Sequence, residues 1–300
     1  EASGSGVVIT EDGHIVTNHH VAGHAKQLKV VFADKSEYEA ELVGTDPLTD
    51  IAVIKVAPPE PRTFPVAVFG DSDQVRAGDN VLAMGSPLAL SQSVTLGIVS
   101  NTEMIMPDWI SRWGGLEQDG ENVGALVRWL GHDAAIYGGN SGGPLLNANG
   151  EMIGVNTMIY SPSGGSVGIG FASPIDTARR VIPDLIQYGT VRRGWIDIIP
   201  VQLEPSIVRH AGLPVDRGIL VSRVIDGGNA DSTGIQGGTT RVRYGRSYIY
   251  LGGDIIIQID DTAIESLADF FSALEATKPG DTVEVVFLRN GRERRTTIEL

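Results

Sequence analysis

Three short segments of this chain contain the residue types that can activate a serine hydroxyl for attack on a carbonyl group. Ser141 lies in the glycine-rich stretch GGNSGG (138–143). Serine is a weak nucleophile on its own, so it needs a base to accept its proton and an acid to orient that base. His20 and Asp50 are the candidates for these roles, and the order along the chain is His20, Asp50, Ser141.

His20 is the strongest candidate for the base among the six histidines of the chain. The segment reads HIVTNHHV (14–21), and a base placed just past a buried strand is held firmly at the rim of a cleft. His19 is expected to point elsewhere on the same turn. No role is assigned to the remaining histidines, which are His14, His24, His132 and His210.

Asp50 is the candidate acid because it immediately precedes an apolar stretch, IAVIKV (51–56), where burial is expected. A buried carboxylate there can accept the imidazole N–H and stabilise the imidazolium. Asp46 competes for this role. Since it is followed by Pro47, we predict that Asp46 serves a turn instead.

The glycines around Ser141 suit the stabilisation of an oxyanion. Gly139 allows the chain to bend so that its own backbone N–H and that of Ser141 converge on one point. Gly142 and Gly143 are expected to leave room for the backbone of a substrate. The order of the three side chains is that of the chymotrypsin arrangement.

The same stretch also matches G-x-S-x-G, the nucleophile elbow of α/β-hydrolases. That arrangement needs a helix after the serine and a histidine further along the chain. Residues 144–150 predict a strand and a turn, and the only later histidine is His210, in the other half of the chain. An α/β-hydrolase is therefore disfavoured.

Composition narrows the possible partners. The net charge of −14 argues against nucleic-acid binding and against docking on anionic membranes. The absence of cysteine excludes disulfides, thiolate chemistry and cysteine-based zinc sites. No apolar run approaches the roughly 20 residues that span a bilayer. We expect no cofactor and no metal.

The order of the elements predicts a mainly β protein with two domains, at residues 1–190 and 194–300. Short Val/Ile-rich segments separated by turn residues fill the first 170 residues, which favours an antiparallel barrel or sandwich. The predicted strands include HIVT (14–17), IAVIKV (51–56), NVLAMG (80–85) and SVTLGIVS (93–100). Ser173-Pro174 predicts a helix start with Ser173 as N-cap. The helix should end at Gly189, with a kink or break at Pro183. In the second domain, strands surround an amphipathic helix at 265–277, and Asn290-Gly291 predicts a tight hairpin.

Read together, these segments resemble the HtrA/Deg serine proteases, in which a chymotrypsin-like double β-barrel domain precedes an α+β PDZ domain. The resemblance covers nearly the whole chain. It is carried in order by GSGVVI, GHIVTNHHV, DPLTDIAVIKV, VTLGIVS, DAAIYGGNSGGPLLN and IGVNTMIYSPSGGSVGIGFASP.

The resemblance implies an ATP-independent serine endopeptidase with His20, Asp50 and Ser141 as catalytic residues and Gly139 and Ser141 as the oxyanion hole. A small apolar pocket formed by Ile136, Ile159 and Ile169 would favour cleavage after Val, Ala or Ile. In the PDZ domain, C-terminal peptides would bind at Gly194, Trp195, Ile196 and Phe270, with Phe271 and Leu274 on the same helix.

Partners and location also follow from the resemblance. Substrates would be unfolded or damaged proteins and peptides, the assembly a homotrimer, and the location the bacterial periplasm or, second, an organelle lumen. A targeting segment is expected outside this sequence. The alternative is a PDZ-containing chaperone or scaffold with an idle triad.

Four departures from the family pattern stand out. Tyr137-Gly138 precedes GNSGG where a stiffer pair is usual, which predicts a flexible oxyanion loop. Asp197 stands where glycine is common and would repel a terminal carboxylate. The loop at 101–131 is long, and the segment 237–253 is an insertion.

Overall fold

The computed structural model describes residues 3–86, 92–104, 117–118, 121–124, 127–159, 168–244, 247–275 and 277–300. Most of the long loop expected at 101–131 lies outside these ranges. The chain divides into two compact units, Glu1–Val191 and Arg192–Leu300.

The first half of the first unit is a five-stranded antiparallel sheet in the order β1-β2-β5-β4-β3. Its strands are β1 (Val7–Val8), β2 (His14–Thr17), β3 (Leu28–Val31), β4 (Glu37–Asp46) and β5 (Ile51–Val56). The central strand β5 is buried at every residue except Lys55, which explains its continuous apolar sequence. One helical turn, α1 (His19–Ala22), follows β2.

The second half of the first unit is a closed antiparallel barrel in the order β10-β13-β12-β11-β6-β7. Its strands are β6 (Asn80–Gly85), β7 (Ser93–Met104), β10 (Trp129–His132), β11 (Pro144–Leu146), β12 (Met152–Ile159) and β13 (Gly170–Pro174). Two further short strands, β8 (Glu117–Gln118) and β9 (Glu121–Asn122), pair with each other. Aliphatic side chains, including Val81, Leu130 and Leu145, fill the barrel interior.

A helix, α2 (Ile175–Tyr188), closes the first unit and packs its apolar face on residues of both halves, among them Val53 and Val155. The expected break at Pro183 is absent, since the helix continues through it. Pro183 faces solvent, and burial of Val181, Ile182 and Leu185 on the opposite face offsets the lost hydrogen bond.

The predicted N-cap of α2 was wrong. Pro174 occupies the cap position without a side-chain hydrogen bond, while Ser173 is the penultimate residue of β13. The Ser173 hydroxyl is buried and makes no hydrogen bond with any residue that the structure describes. Pairing of Ser173 with Val155 on β12 holds it in the barrel and prevents it from turning toward the helix.

The second unit is a sheet in the order β14-β15-β18-β20-β21, with the short β19 beside β18. Its strands are β14 (Ile198–Gln202), β15 (Ile219–Val224), β18 (Ile255–Ile259), β19 (Thr262–Ala263), β20 (Thr282–Arg289) and β21 (Arg292–Glu299). Its helices are α3 (Pro205–Ala211) and α4 (Leu267–Glu275). Because β14 is an edge strand, one row of its backbone groups faces away from the sheet.

The second unit contains two β-hairpins, one predicted from Asn290-Gly291 and one within the insertion at 237–253. Arg289 pairs with Arg292 across Asn290 and Gly291, whose φ values are 52° and 72°, so the predicted tight turn is present. The insertion at 237–253 contains a second hairpin, β16 (Thr240–Tyr244) with β17 (Ser247–Leu251). Its inner side chains, including Val242, Ile249 and Leu251, join an apolar cluster with Leu220.

The expected mainly β architecture is confirmed.

His132, on β10, is a buried histidine with consequences for stability. Its side chain is 1% exposed, and burial lowers the pKa of its imidazole from 6.5 to about 4. Above pH 6.5 the imidazole is neutral in both the folded and the unfolded chain. Between pH 6.5 and 4 only the unfolded chain takes up the proton, so the folded state loses stability as the pH falls.

We predict that the free energy of unfolding of the first unit falls by about 2–3 kcal/mol more in the wild type than in His132→Phe between pH 7.5 and 4.5. Urea unfolding followed by fluorescence at both pH values measures it. His210→Phe, at an exposed histidine of the second unit, is the matched control and should behave as the wild type. Equal pH dependence in His132→Phe and the wild type would contradict the prediction.

Candidate active site

His20 and Asp50 meet directly. His20 sits on the single turn α1 after β2, and its Nδ1 lies 2.8 Å from Asp50 Oδ2. The backbone N–H of His20 donates to the other carboxylate oxygen, Oδ1, at 3.0 Å. Because the carboxylate accepts the Nδ1 proton, Nε2 is left as the basic nitrogen.

The backbone of Asp50 is what brings these groups together. Asp50 ends a 3₁₀ turn at Pro47–Thr49 and has a φ of 55°, a left-handed conformation that aspartate tolerates. Its carbonyl oxygen accepts the N–H of His19 at 3.1 Å and Asn18 Nδ2 at 2.9 Å. The carboxylate is 0% exposed, so its two contacts with His20, and not water, compensate its charge.

The two competing side chains take structural roles. Asp46 accepts the backbone N–H of Thr49 at 3.2 Å and caps the 3₁₀ turn, as predicted for a turn residue. His19 is buried and contacts Thr45 Oγ1 through Nδ1 at 2.7 Å. Neither side chain is positioned to replace its catalytic candidate.

Ser141 lies in the loop between β10 and β11, and its hydroxyl donates to the backbone oxygen of Thr157 at 2.8 Å. Among the described residues, no hydrogen bond joins Ser141 Oγ to His20. In this arrangement the Ser141 hydroxyl proton is directed at Thr157 O and not at His20. Asn18 and Thr157 are linked as well, by Asn18 Nδ2 to Thr157 Oγ1 at 3.1 Å.

The glycines after Ser141 are required by packing within the protein, and their expected role of leaving room for a substrate backbone stays a prediction. A Cβ on Gly142 would lie 2.2 Å from Ser5 O, and Gly142 has a φ of 85°. A Cβ on Gly143 would lie 2.2 Å from Met84 O. The space beside both residues is filled by other backbone segments.

At position 139 the backbone conformation favours glycine, since a φ of 99° is one that other residues rarely adopt. Its carbonyl oxygen accepts the Ser5 hydroxyl at 2.7 Å, while Asn140 N donates to Tyr137 O at 3.0 Å. Gly138 has no positive φ, and a Cβ there would meet nothing within 4 Å. A glycine at position 138 is thus not required by the observed backbone conformation.

The predicted pocket residues are placed unequally. Ile136 is 3% exposed and packs in the barrel core with Val81 and Leu145. Ile169 is 39% exposed, just before β13. Ile159 is the last residue of β12, and its side chain lies outside the description.

In the second unit, the loop before β14 is tied down from several sides. Gly194 N donates to Thr277 O at 3.2 Å, and Asn229 Nδ2 donates to Trp195 O at 2.6 Å. Ile196 is fully buried. The N–H groups of Trp195 and Ile196 remain as candidate donors to a ligand.

The helix α4 divides its aromatic residues between core and surface. Phe270, expected in a peptide groove, is 0% exposed and belongs to the core of the second unit. Phe271 is half-buried and stacks on Trp195, with ring centroids 5.6 Å apart. Phe271 is accordingly the better placed of the two to contact a ligand beside Trp195.

Within the described ranges, one cluster of three carboxylates has the spacing of metal ligands. Its potential ligand atoms, from Asp71, Asp73 and Asp176, lie within 4.8 Å of one another. Asp176 accepts both the N–H and the hydroxyl of Ser72 at 2.6 Å. Asp71 accepts the N–H of Asp73 at 2.9 Å as a turn cap. These contacts account for two of the carboxylates, and we assign no metal to the group.

Among the described helices, none has the length and apolar character needed to cross a membrane.

Known proteases are similar to this chain over its whole length. Residues 4–155 match the trypsin-like peptidase domain, and residues 199–300 match the PDZ domain. The chain is 36% identical over 301 residues to the periplasmic pH-dependent serine endoprotease DegQ of Escherichia coli (strain K12), covering 100% of this chain and 59% of DegQ. A probable periplasmic DegP-like endoprotease of Brucella suis biovar 1 (strain 1330) is also 36% identical, with 100% and 52% covered. The chain thus spans between half and three fifths of the length of these curated relatives.

Solved structures give the same result. The HtrA-type protease AlgW with a decapeptide superposes with a TM-score of 0.77 at 35% identity, covering 99% of this chain and 81% of AlgW. The serine endoprotease from Yersinia pestis gives 0.66 at 32% identity, with 99% and 87% covered.

Proposed function

The chain belongs to the HtrA/Deg family of serine proteases, and from this premise we propose that it is an ATP-independent serine endopeptidase. The observation that carries the proposal is the pair formed by His20 and the fully buried Asp50, beside a serine in a glycine loop. Such a pair supplies a correctly oriented base, which a serine hydroxyl needs for nucleophilic attack.

In the proposed reaction, Ser141 Oγ attacks the scissile carbonyl carbon while His20 Nε2 takes the hydroxyl proton. Asp50 stabilises the imidazolium, and the N–H groups of Gly139 and Ser141 donate to the oxyanion. The imidazolium then protonates the leaving amine. Water, deprotonated by His20, then attacks the acyl carbon, the bond to Ser141 Oγ breaks to release the carboxylic acid product, and His20 returns the proton to Ser141 Oγ.

The hydrogen bond from Ser141 to Thr157 O supports the alternative, a chaperone or scaffold with an idle triad. In that state the hydroxyl donates to a backbone oxygen and not to the base. The two functions differ in whether Ser141 can become covalently modified.

We predict that a fluorophosphonate probe labels the wild type and not Ser141→Ala. Asp50→Asn should slow labelling by on the order of 10³–10⁴-fold, because His20 loses the partner that fixes its tautomer. Asp46→Asn is the matched control and should label within a few fold of the wild type. Equal labelling of the wild type and Ser141→Ala would exclude the endopeptidase and leave the scaffold.

Cleavage after small or medium aliphatic residues is the proposed specificity. The three pocket candidates are isoleucines, and none can pair with a charged side chain of a substrate. Substrates are proposed to be unfolded or damaged proteins, since an extended chain must enter the site.

We predict that a peptide library is cut mainly after Val, Ala and Ile. Ile169→Asp should lower cleavage after Val by about tenfold or more, because a carboxylate disfavours an apolar side chain beside it. Ile186→Asp, at an exposed isoleucine of α2, is the control and should leave the profile unchanged. An unchanged profile in Ile169→Asp would remove this residue from the pocket.

The second unit is proposed to bind C-terminal peptides and thereby regulate cleavage. Its sheet ends in the edge strand β14, next to α4, and a peptide can add to such an edge as a further strand. The candidate carboxylate-binding loop, Gly194 to Ile196, directly precedes this strand. Asp197 follows the loop and accepts Asn229 N at 3.0 Å.

We predict that Asp197→Asn binds a C-terminal peptide about twofold to fivefold more tightly at low salt, because one like charge near the carboxylate is removed. The asparagine side chain can still accept Asn229 N. Calorimetry should show no gain for the same peptide with an amidated C-terminus, or for the exposed control Asp216→Asn. An equal gain with the amidated peptide would mean that charge is not the cause.

A homotrimer and an exported, periplasmic location complete the proposal, with an organelle lumen as the second possibility for the location. The periplasmic names of the relatives support the location. Light scattering tests the assembly, and a single-chain mass of 31.9 kDa would contradict the trimer. Fractionation of cells producing the natural protein tests the location.

A further inference from the structure

Ser5 uses every polar group it has on segments that meet at the catalytic loop. Its N–H donates to Ser141 O at 2.7 Å, and its hydroxyl donates to Gly139 O at 2.7 Å. The same hydroxyl oxygen accepts the N–H of Ser86 at 2.9 Å. Its carbonyl oxygen accepts the hydroxyl of Thr17, on β2, at 2.7 Å.

The two contacts with the catalytic loop bracket the nucleophile. Ser5 holds the carbonyl of Gly139, two residues before the nucleophile, and the carbonyl of Ser141 itself. The oxyanion donors of the proposed reaction are the N–H groups of these same two residues. Fixing both carbonyls restricts the rotation of the backbone on which both N–H groups depend.

The loop needs such an external hold near Gly139. The left-handed φ of Gly139 follows Gly138, which nothing contacts at its Cβ position, so this stretch has much conformational freedom. The Oδ1 atom of Asn140 adds no hydrogen bond to this hold, because it is buried without a partner among the described residues. Among the described residues, the Ser5 hydroxyl is the hydrogen-bond donor to the Gly139 carbonyl.

The position of Ser5 is itself fixed by close packing. A Cβ on Gly4 would lie 2.5 Å from Val21 Cγ1 and 3.2 Å from Ser141 O, and a Cβ on Gly6 would lie 2.6 Å from Ile15 Cγ2. The chain can approach the loop this closely because both neighbours of Ser5 are glycines. The hydroxyl is therefore presented from a well-packed segment.

We infer that Ser5 is a positioning residue for the oxyanion hole, which acts through the Gly139 carbonyl and not on the substrate. The inference rests on the proposed endopeptidase function for its kinetic consequence. Its structural part, that the hydroxyl orders the loop, does not depend on activity.

The test compares Ser5→Thr with Ser5→Val, two variants of nearly the same shape that differ by the hydroxyl. Ser5→Val should lower kcat by about tenfold to a hundredfold, less than the 10²–10³-fold of deleting an oxyanion donor, with KM within about twofold. Ser5→Thr, which keeps the hydroxyl, should have a kcat near the wild-type value. Ser36→Ala, which removes a half-buried, hydrogen-bonded hydroxyl from the β3–β4 turn, is the control. Thermal unfolding verifies that each variant is folded at the assay temperature.

Amide hydrogen exchange of the loop gives a readout without catalysis. The N–H groups of Asn140 and Gly143 are hydrogen-bonded within the loop, at 3.0 Å each. Their exchange should be about fivefold faster in Ser5→Val than in Ser5→Thr. Equal kcat and equal exchange in the two variants would overturn the inference. A wild type that the fluorophosphonate does not label would end the proposed function, while the exchange comparison would still decide the role of Ser5.

Discussion

The buried carboxylate of Asp50 is the constraint around which the first unit is organised. An ionised carboxylate removed from water is costly unless hydrogen bonds and an opposite charge compensate it. Here both carboxylate oxygens are engaged by His20, and the carbonyl of the same residue binds Asn18 and His19. Since Asn18 also binds Thr157 on β12, the sheet and the barrel are joined at this point. The geometry of the candidate His20–Asp50 pair, and one of the links between the two halves, thus depend on Asp50.

Much of the fold could be predicted from the sequence because it is encoded locally. Strands β2, β5 and β6 have the predicted bounds, since turn residues flank compact apolar runs. Asn290-Gly291 specified its hairpin through the left-handed φ values that these residues tolerate. Strand β7 extends to Met104, beyond the prediction, because its last residues pair with β10, and such nonlocal pairing leaves no local signal.

The candidate site was predictable in its residue types and not in its contacts. Three residue types in one order suffice to predict a triad, and His20 and Asp50 do meet. The acceptor of the Ser141 hydroxyl depends on how β12 folds back beside the loop, so no spacing rule could have indicated Thr157. Ser5 was missed for the same reason, since it looks like an ordinary residue at the start of a strand. On α4, helical spacing identified the apolar face, but only packing against the sheet separates the buried Phe270 from the half-buried Phe271.

The crowding at Gly142 and Gly143 limits what mutagenesis can reveal about this loop. Any side chain at either position would collide with backbone atoms of Ser5 or Met84. Loss of function after substitution here reports a steric conflict, whatever the chemistry of the new residue. If every residue were replaced in turn by each other amino acid, all substitutions at Gly142 and Gly143 would therefore be expected to impair the protein. The chemical information would come instead from neighbours where volume can change freely, such as Gly138.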